Sequence, residues 1–141
     1  MIEFINIRVE GNMEKRIMIV DDEPDILISL KTVFEKNNYD VITVTNGIEC
    51  INEIESGFQG IVLMDLMMPN MDGWDTINQI VKKGLIKNVE IAIITGKGTK
   101  DNQKMETIGS YVFDYMTKPL DIDKLISSVE RSNRYFCSRN N

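Results

Sequence analysis

Five short runs rich in isoleucine and valine, "RIMIVD", "VITVT", "GIVLMD", "EIAIIT" and "YVFDYM", recur along the chain, each too short for a typical helix. Between them the apolar residues change period. Ile26, Leu27, Leu30, Val33 and Phe34 form one helical stripe, Ile48, Ile51 and Ile54 a second, and Trp74, Ile77, Ile80 and Val81 a third. Strand and helix therefore alternate, and strands that are apolar almost throughout need cover on both faces. Right-handed βαβ units supply that cover around a parallel sheet, so the pattern predicts a doubly wound α/β sandwich of five strands and five helices. Asn46 is placed to open the second helix and Gly57 to close it, while Asp121 caps a last helix carrying Leu125, Ile126 and Val129. The fourth helix, from about Lys100 to Ile108, offers only Met105 and Ile108 to a core and follows "GKGTKDN"; it is the weakest element and a candidate moving part.

With 141 residues, 43% of them hydrophobic, the chain can bury a core without disulfides, and one domain is expected. The expected organisation is an N-terminal extension over 1–15, a folded domain over 16–135 and a C-terminal tail over 136–141, with "RSNRYFCSRNN" as a solvated, frayed helix end. A balance of 22 acidic to 16 basic residues argues against a nucleic-acid footprint, so no direct DNA binding is expected. No window approaches the roughly 18 apolar residues of a membrane span, and the charged start is unlike a signal-peptide core. A cytoplasmic protein without membrane insertion is the expectation. Cys50 and Cys137 have no metal-ligand spacing and are read as packing residues. Histidine is absent, so any imidazole chemistry must come from a partner.

Polar residues stand at the carboxyl ends of the apolar runs, the edge where open parallel sheets bind ligands. Asp21 and Asp22 end the first strand, Asp65 the third and Thr95 the fourth, and Lys118 follows the fifth. If the first and third strands are neighbours, three carboxylates converge. Two carboxylates about 4 Å apart repel by roughly 4 kcal/mol at an effective dielectric near 20, and three make three such pairs. A hard divalent cation relieves that repulsion, and Mg²⁺ commonly combines one or two carboxylates with waters and a phosphate. An ammonium and a hydroxyl opposite the carboxylates complement phosphoryl oxygens, which makes Asp65 a candidate nucleophile.

Four segments, "IMIVDDEPDIL", "IVLMDLMMPNMDGW", "IAIIT" and "YMTKPLD", together resemble the motif set of response regulator receiver domains, over about residues 16 to 130. The resemblance implies strand order 2-1-3-4-5 in a flavodoxin-like three-layer sandwich. It implies that Asp65 accepts a phosphoryl group, that Asp21, Asp22 and Asp65 hold Mg²⁺ with the backbone carbonyl of Met67, and that Thr95 and Lys118 contact the phosphoryl group. Thr95 and Tyr115 match the switch pair, and the bond from Lys118 to Pro119 matches the family's usual cis peptide. Gly96, just after Thr95, leaves the phosphoryl site accessible. Asn38 departs from the family by replacing a frequent glycine before Tyr39, and "IGSYV" lacks the usual alanine-rich turn.

The implied partners are a sensor histidine kinase or histidine phosphotransfer protein upstream and a protein target downstream. The chain would be a stand-alone regulatory phosphoacceptor, catalysing only its own phosphorylation and dephosphorylation. The alternatives are weaker. A phosphorylation-independent scaffold would not need every motif position filled by a competent residue. An aspartyl-phosphate phosphatase of the haloacid dehalogenase type wants a second aspartate two positions after the nucleophile, where Met67 stands, and an FMN carrier would not present "DDEPD" to a phosphate.

Overall fold

The computed structural model describes residues 14–96 and 101–140. Five parallel strands form one sheet: β1 (Arg16–Val20), β2 (Asp40–Val44), β3 (Gly60–Asp65), β4 (Val89–Thr95) and β5 (Val112–Thr117), in spatial order β2-β1-β3-β4-β5. The connecting helices are α1 (Pro24–Lys36), α2 (Gly47–Glu55), α3 (Gly73–Lys82), α4 (Asn102–Ile108) and α5 (Ile122–Arg139). The expected α/β class, strand order and helix count are all present. Among the described residues, no helix is long and apolar enough to cross a membrane.

Alternation along the strands builds two cores. Met18, Val20, Val62, Met64, Ile91 and Ile93 face α2 and α3, whereas Ile17, Ile19, Ile61, Leu63, Ala92 and Ile94 face α1 and α5. Strand β3 sits between two partners, is covered on both faces and is buried at every residue. Its position brings the end of β1 beside Asp65.

Local chemistry sets the helix boundaries on the strands' carboxyl edge. Asn46, Asp72, Asp101 and Asp121 each accept a backbone N–H of their own helix's first turn, at Glu49, Asp75, Lys104 and Lys124 respectively. Gly57 follows α2 with φ +114°, as a helix-terminating glycine does, and Asn38 holds the left-handed turn after α1 at φ 70°.

Three sequence expectations need correction. Ile48 is 58% exposed, and Gly47, Cys50, Ile51 and Ile54 form the buried face of α2 instead. The cause is the close approach of α2 to α3: a Cβ on Gly47 would lie 2.1 Å from Thr76 Oγ1, which fixes the helix with that edge inward. The tail expected to fray is helical to Arg139, with Phe136 buried. Arg139 anchors it, its guanidinium 2.8 Å from the Glu90 carboxylate and donating to the carbonyls of Lys87 and Val89. Thirdly, α4 begins at Asn102 behind its cap Asp101, and Lys100 lies outside the described residues, as do 1–13 of the expected N-terminal extension. Helix α4 has seven residues, with Ile108 buried and Met105 partly packed.

Candidate functional site

The three acids meet. One carboxylate oxygen from each of Asp21, Asp22 and Asp65 lies within 4.8 Å of the others; Asp21 and Asp65 are buried and Asp22 is exposed. Asp21 follows β1 directly, its N–H bonded to the carbonyl of Val44 on β2, and Asp65 is the last residue of β3. Gly73, the first residue of α3, crosses closely above: a Cβ there would lie 2.5 Å from the Asp65 carbonyl oxygen and 2.9 Å from Leu66 Cα. Only glycine fits that crossing, and it presses the start of α3 onto the loop that carries Asp65.

The Asp65 carboxyl is pushed up to about 6, first by burial and next by the Asp21 charge, with Asp22 adding to both. The backbone N–H of Met67, donating to Asp65 Oδ1 at 3.2 Å, and the Lys118 ammonium act in the opposite direction. A carboxylate held in this way is destabilised in its charged form, and a nearby cation would relieve that. Neighbouring oxygens in an octahedral shell at about 2.0–2.1 Å stand about 3 Å apart, so the three carboxylate oxygens, within 4.8 Å of one another, would draw together around a bound Mg²⁺. The donor set, all hard oxygen, suits the same ion.

Lys118 reaches the cluster from beyond β5. Its backbone N–H donates to the Thr95 carbonyl at 2.7 Å, and its peptide bond to Pro119 is cis. The ammonium is 2.9 Å from Asp21 Oδ2 and 3.0 Å from Glu23 Oε1. Burial lowers the lysine's proton affinity, but the hydrogen bonds to Asp21 and Glu23 and the charges of Asp21 and Asp65 more than offset this, and the net direction is upward.

Thr95 ends β4 fully buried, one residue beyond the partner of Asp65 in the β3–β4 register. Tyr115 is half-buried on β5, opposite Ile93, and packs against the α2–α3 core. Its hydroxyl is raised by burial and by the nearby charge of Asp101, the α4 cap. A one-residue irregularity between Ile91 and Ala92 brings it there: Ile91 pairs with Val112, but Ala92 pairs with Asp114. Without that slip, Asp114 would lie opposite Ile93. Instead Asp114 faces α5 and accepts a hydrogen bond from Ser128 Oγ at 2.6 Å.

The predicted residues thus gather on one edge, with Tyr115 one strand further out. Two features escaped the sequence: Glu23, the third acid of "DDEPD", and the slip in β5. Only its position in the loop that carries Asp21 and Asp22 could have flagged Glu23. Trp74, beside Gly73, is buried at the start of α3, with the Lys104 ammonium 6.0 Å from its ring centre. Cys50 is buried and pushed up to about 12, chiefly by burial, which leaves it an inert packing residue.

The family model described as "Response regulator receiver domain" matches residues 17–130. Sporulation initiation phosphotransferase F of Bacillus subtilis is 30% identical over 84% of this chain and 94% of its own length. Chemotaxis protein CheY of Thermotoga maritima is 29% identical over 86% of this chain and 100% of its own. Among solved structures, a CheY-like response regulator receiver domain protein from Methanospirillum hungatei superposes with a TM-score of 0.81 at 38% identity, covering 90% of this chain and 98% of that one.

Proposed function

From the premise that this chain belongs to the response regulator receiver domain family of two-component signalling, we propose that Asp65 accepts a phosphoryl group from the phosphohistidine of a sensor histidine kinase or histidine phosphotransfer protein. The observation that carries the proposal is the buried Asp65 carboxylate inside a three-acid cluster, with a lysine ammonium held on its rim.

Asp21, Asp22, Asp65 and the Met67 carbonyl are the residues that would hold Mg²⁺, which when bound neutralises the cluster and the incoming phosphoryl oxygens. Asp65 supplies the attacking oxygen. Its bond to phosphorus forms as the phosphorus–nitrogen bond breaks; the electron pair returns to the imidazole, which takes up one proton. Burial excludes water from the nucleophile, and the Met67 N–H fixes its carboxylate plane. Thr95 and Lys118 then turn their hydroxyl and ammonium toward the new phosphoryl oxygens. Tyr115 follows Thr95 inward, and the population of the surface formed by α4, β5 and α5 shifts toward the form that a downstream protein target binds. The weak packing of α4 supports that part of the reading, because an element with few buried contacts changes state at low cost.

Acetyl phosphate with Mg²⁺ tests the proposal without a kinase. Intact-mass analysis is expected to show one added phosphoryl group on the parent protein and none on Asp65→Asn. Equal labelling of the variant would remove Asp65 from the role.

A further inference from the structure

Glu23 stands at the N-cap of α1, a position that favours Ser, Thr, Asp or Asn because a short side chain can fold back onto the first turn. The four other α-helices, all on this edge, are capped that way, by Asn46, Asp72, Asp101 and Asp121. Glu23 makes no side-chain cap bond. Its carboxylate extends to Lys118 instead, with Oε1 3.0 Å from the ammonium.

The contact belongs to a closed ring. Asp21 Oδ2 takes the same ammonium at 2.9 Å, and Asp21 Oδ1 accepts the backbone N–H of Glu23 at 2.9 Å. Two carboxylates, themselves tied together through the loop, thus share one lysine. Among the described residues, both side-chain hydrogen bonds of Lys118 go to this pair, and Asp65 acts on it through charge.

Two of the ammonium's three N–H groups are held there, so drawing it toward a phosphoryl oxygen on Asp65 works against both contacts. Asp21 is a ligand of the proposed cation site and gives up its share when an ion binds. Glu23 lies outside that cluster, its side chain 61% exposed against 14% for the lysine, so a bound ion leaves its claim intact. We propose that Glu23 is a positioning residue for Lys118: a competing carboxylate that keeps the ammonium at the rim while Asp65 is free and yields it when Asp65 is phosphorylated. This rests on the phosphoacceptor reading of Asp65. Glu23 slows the handover of the lysine and at the same time keeps its charge compensated once Asp21 is taken.

Two substitutions separate contact from charge. Glu23→Gln keeps the length and removes the charge; Glu23→Asp keeps the charge but is too short for the contact and suits the cap of α1. With acetyl phosphate and saturating Mg²⁺, both are expected to phosphorylate about two- to fivefold faster than the parent, the range set by one half-exposed ion pair. Mg²⁺ affinity without phosphodonor, read from Trp74 fluorescence, provides a second readout. A purely electrostatic role would weaken it in Glu23→Gln, leave it unchanged in Glu23→Asp, and give Glu23→Asp the parent's phosphorylation rate. That pattern, or parent rates in both variants, overturns the positioning role while the phosphoacceptor reading stands. A parent protein that takes no phosphoryl group at all overturns both.

Discussion

Strands β3 and β5 belong to one sheet but differ in how firmly they are held. β3 has a strand on each side, helices on both faces and no exposed residue, whereas β5 pairs only with β4 and is half-buried along nearly its whole length. Asp65, the proposed nucleophile, sits at the end of the first. Tyr115, proposed to move, sits on the second, beside the seven-residue α4. Chemistry needs a carboxylate fixed to within a fraction of an ångström, whereas a readout needs an element whose alternatives differ little in free energy. The sheet offers both settings, one on a central strand and the other at the edge.

Truncation of the two strands should separate them most. Leu63→Ala in β3 removes a fully buried side chain and is expected to cost about 2–5 kcal/mol in urea denaturation. Met116→Ala in β5 is only partly packed and should cost about half as much or less. Equal losses would remove the distinction on which the comparison rests.

Glycines offer a second contrast. A methyl at Gly73 meets backbone atoms of Asp65 and Leu66 that cannot give way, so Gly73→Ala should cost about 1–3 kcal/mol and slow phosphorylation of Asp65. A methyl at Gly96, after β4, meets nothing within 4 Å among the described residues, and Gly96→Ala should stay within about 0.5 kcal/mol of the parent.

Titration probes the central strand alone. The folded Asp65 carboxyl at about 6 lies above its ordinary value of 3.8, so the folded state binds this proton more tightly than the unfolded state. In cation-free buffer its contribution to stability is full below about pH 4 and is lost as pH rises through about 6, roughly 3 kcal/mol. Asp65→Asn should lack that slope and melt higher than the parent at neutral pH. Mg²⁺, proposed to bind the ionised cluster of the folded state, should on that reading raise the parent's melting temperature at pH 7, and Asp22→Ala should lose most of the rise.

The smallest expected effect lies at the edge. Tyr115→Phe should leave the phosphorylation rate within about twofold of the parent. It should also diminish the change in amide hydrogen exchange across α4 that phosphorylation brings in the parent.

Much of this architecture was legible in the sequence because its signals are local. Apolar runs ending in Asp65 and Thr95 mark strands and the edge they point to, and Asn46 and Asp121 act as caps within their own turns. What escaped depends on neighbours distant in the chain. Ile48 reads as core until α3 approaches Gly47, and the last helical turn reads as frayed until Arg139 meets Glu90. The slip in β5 is set by its pairing with β4, which no periodicity within "YVFDYM" reveals. Glu23 reads as a loop acid until Lys118, 95 residues later, arrives beside it.

The most direct test of the account locates the phosphoryl group on the chain. Protein phosphorylated with acetyl phosphate and Mg²⁺, then reduced with borohydride, carries homoserine wherever an aspartyl phosphate stood, and peptide mapping identifies the position. Conversion is expected at Asp65 alone, with none when Mg²⁺ is chelated before the donor is added. Conversion at Asp21 or Asp22, or labelling that persists without the ion, would contradict it.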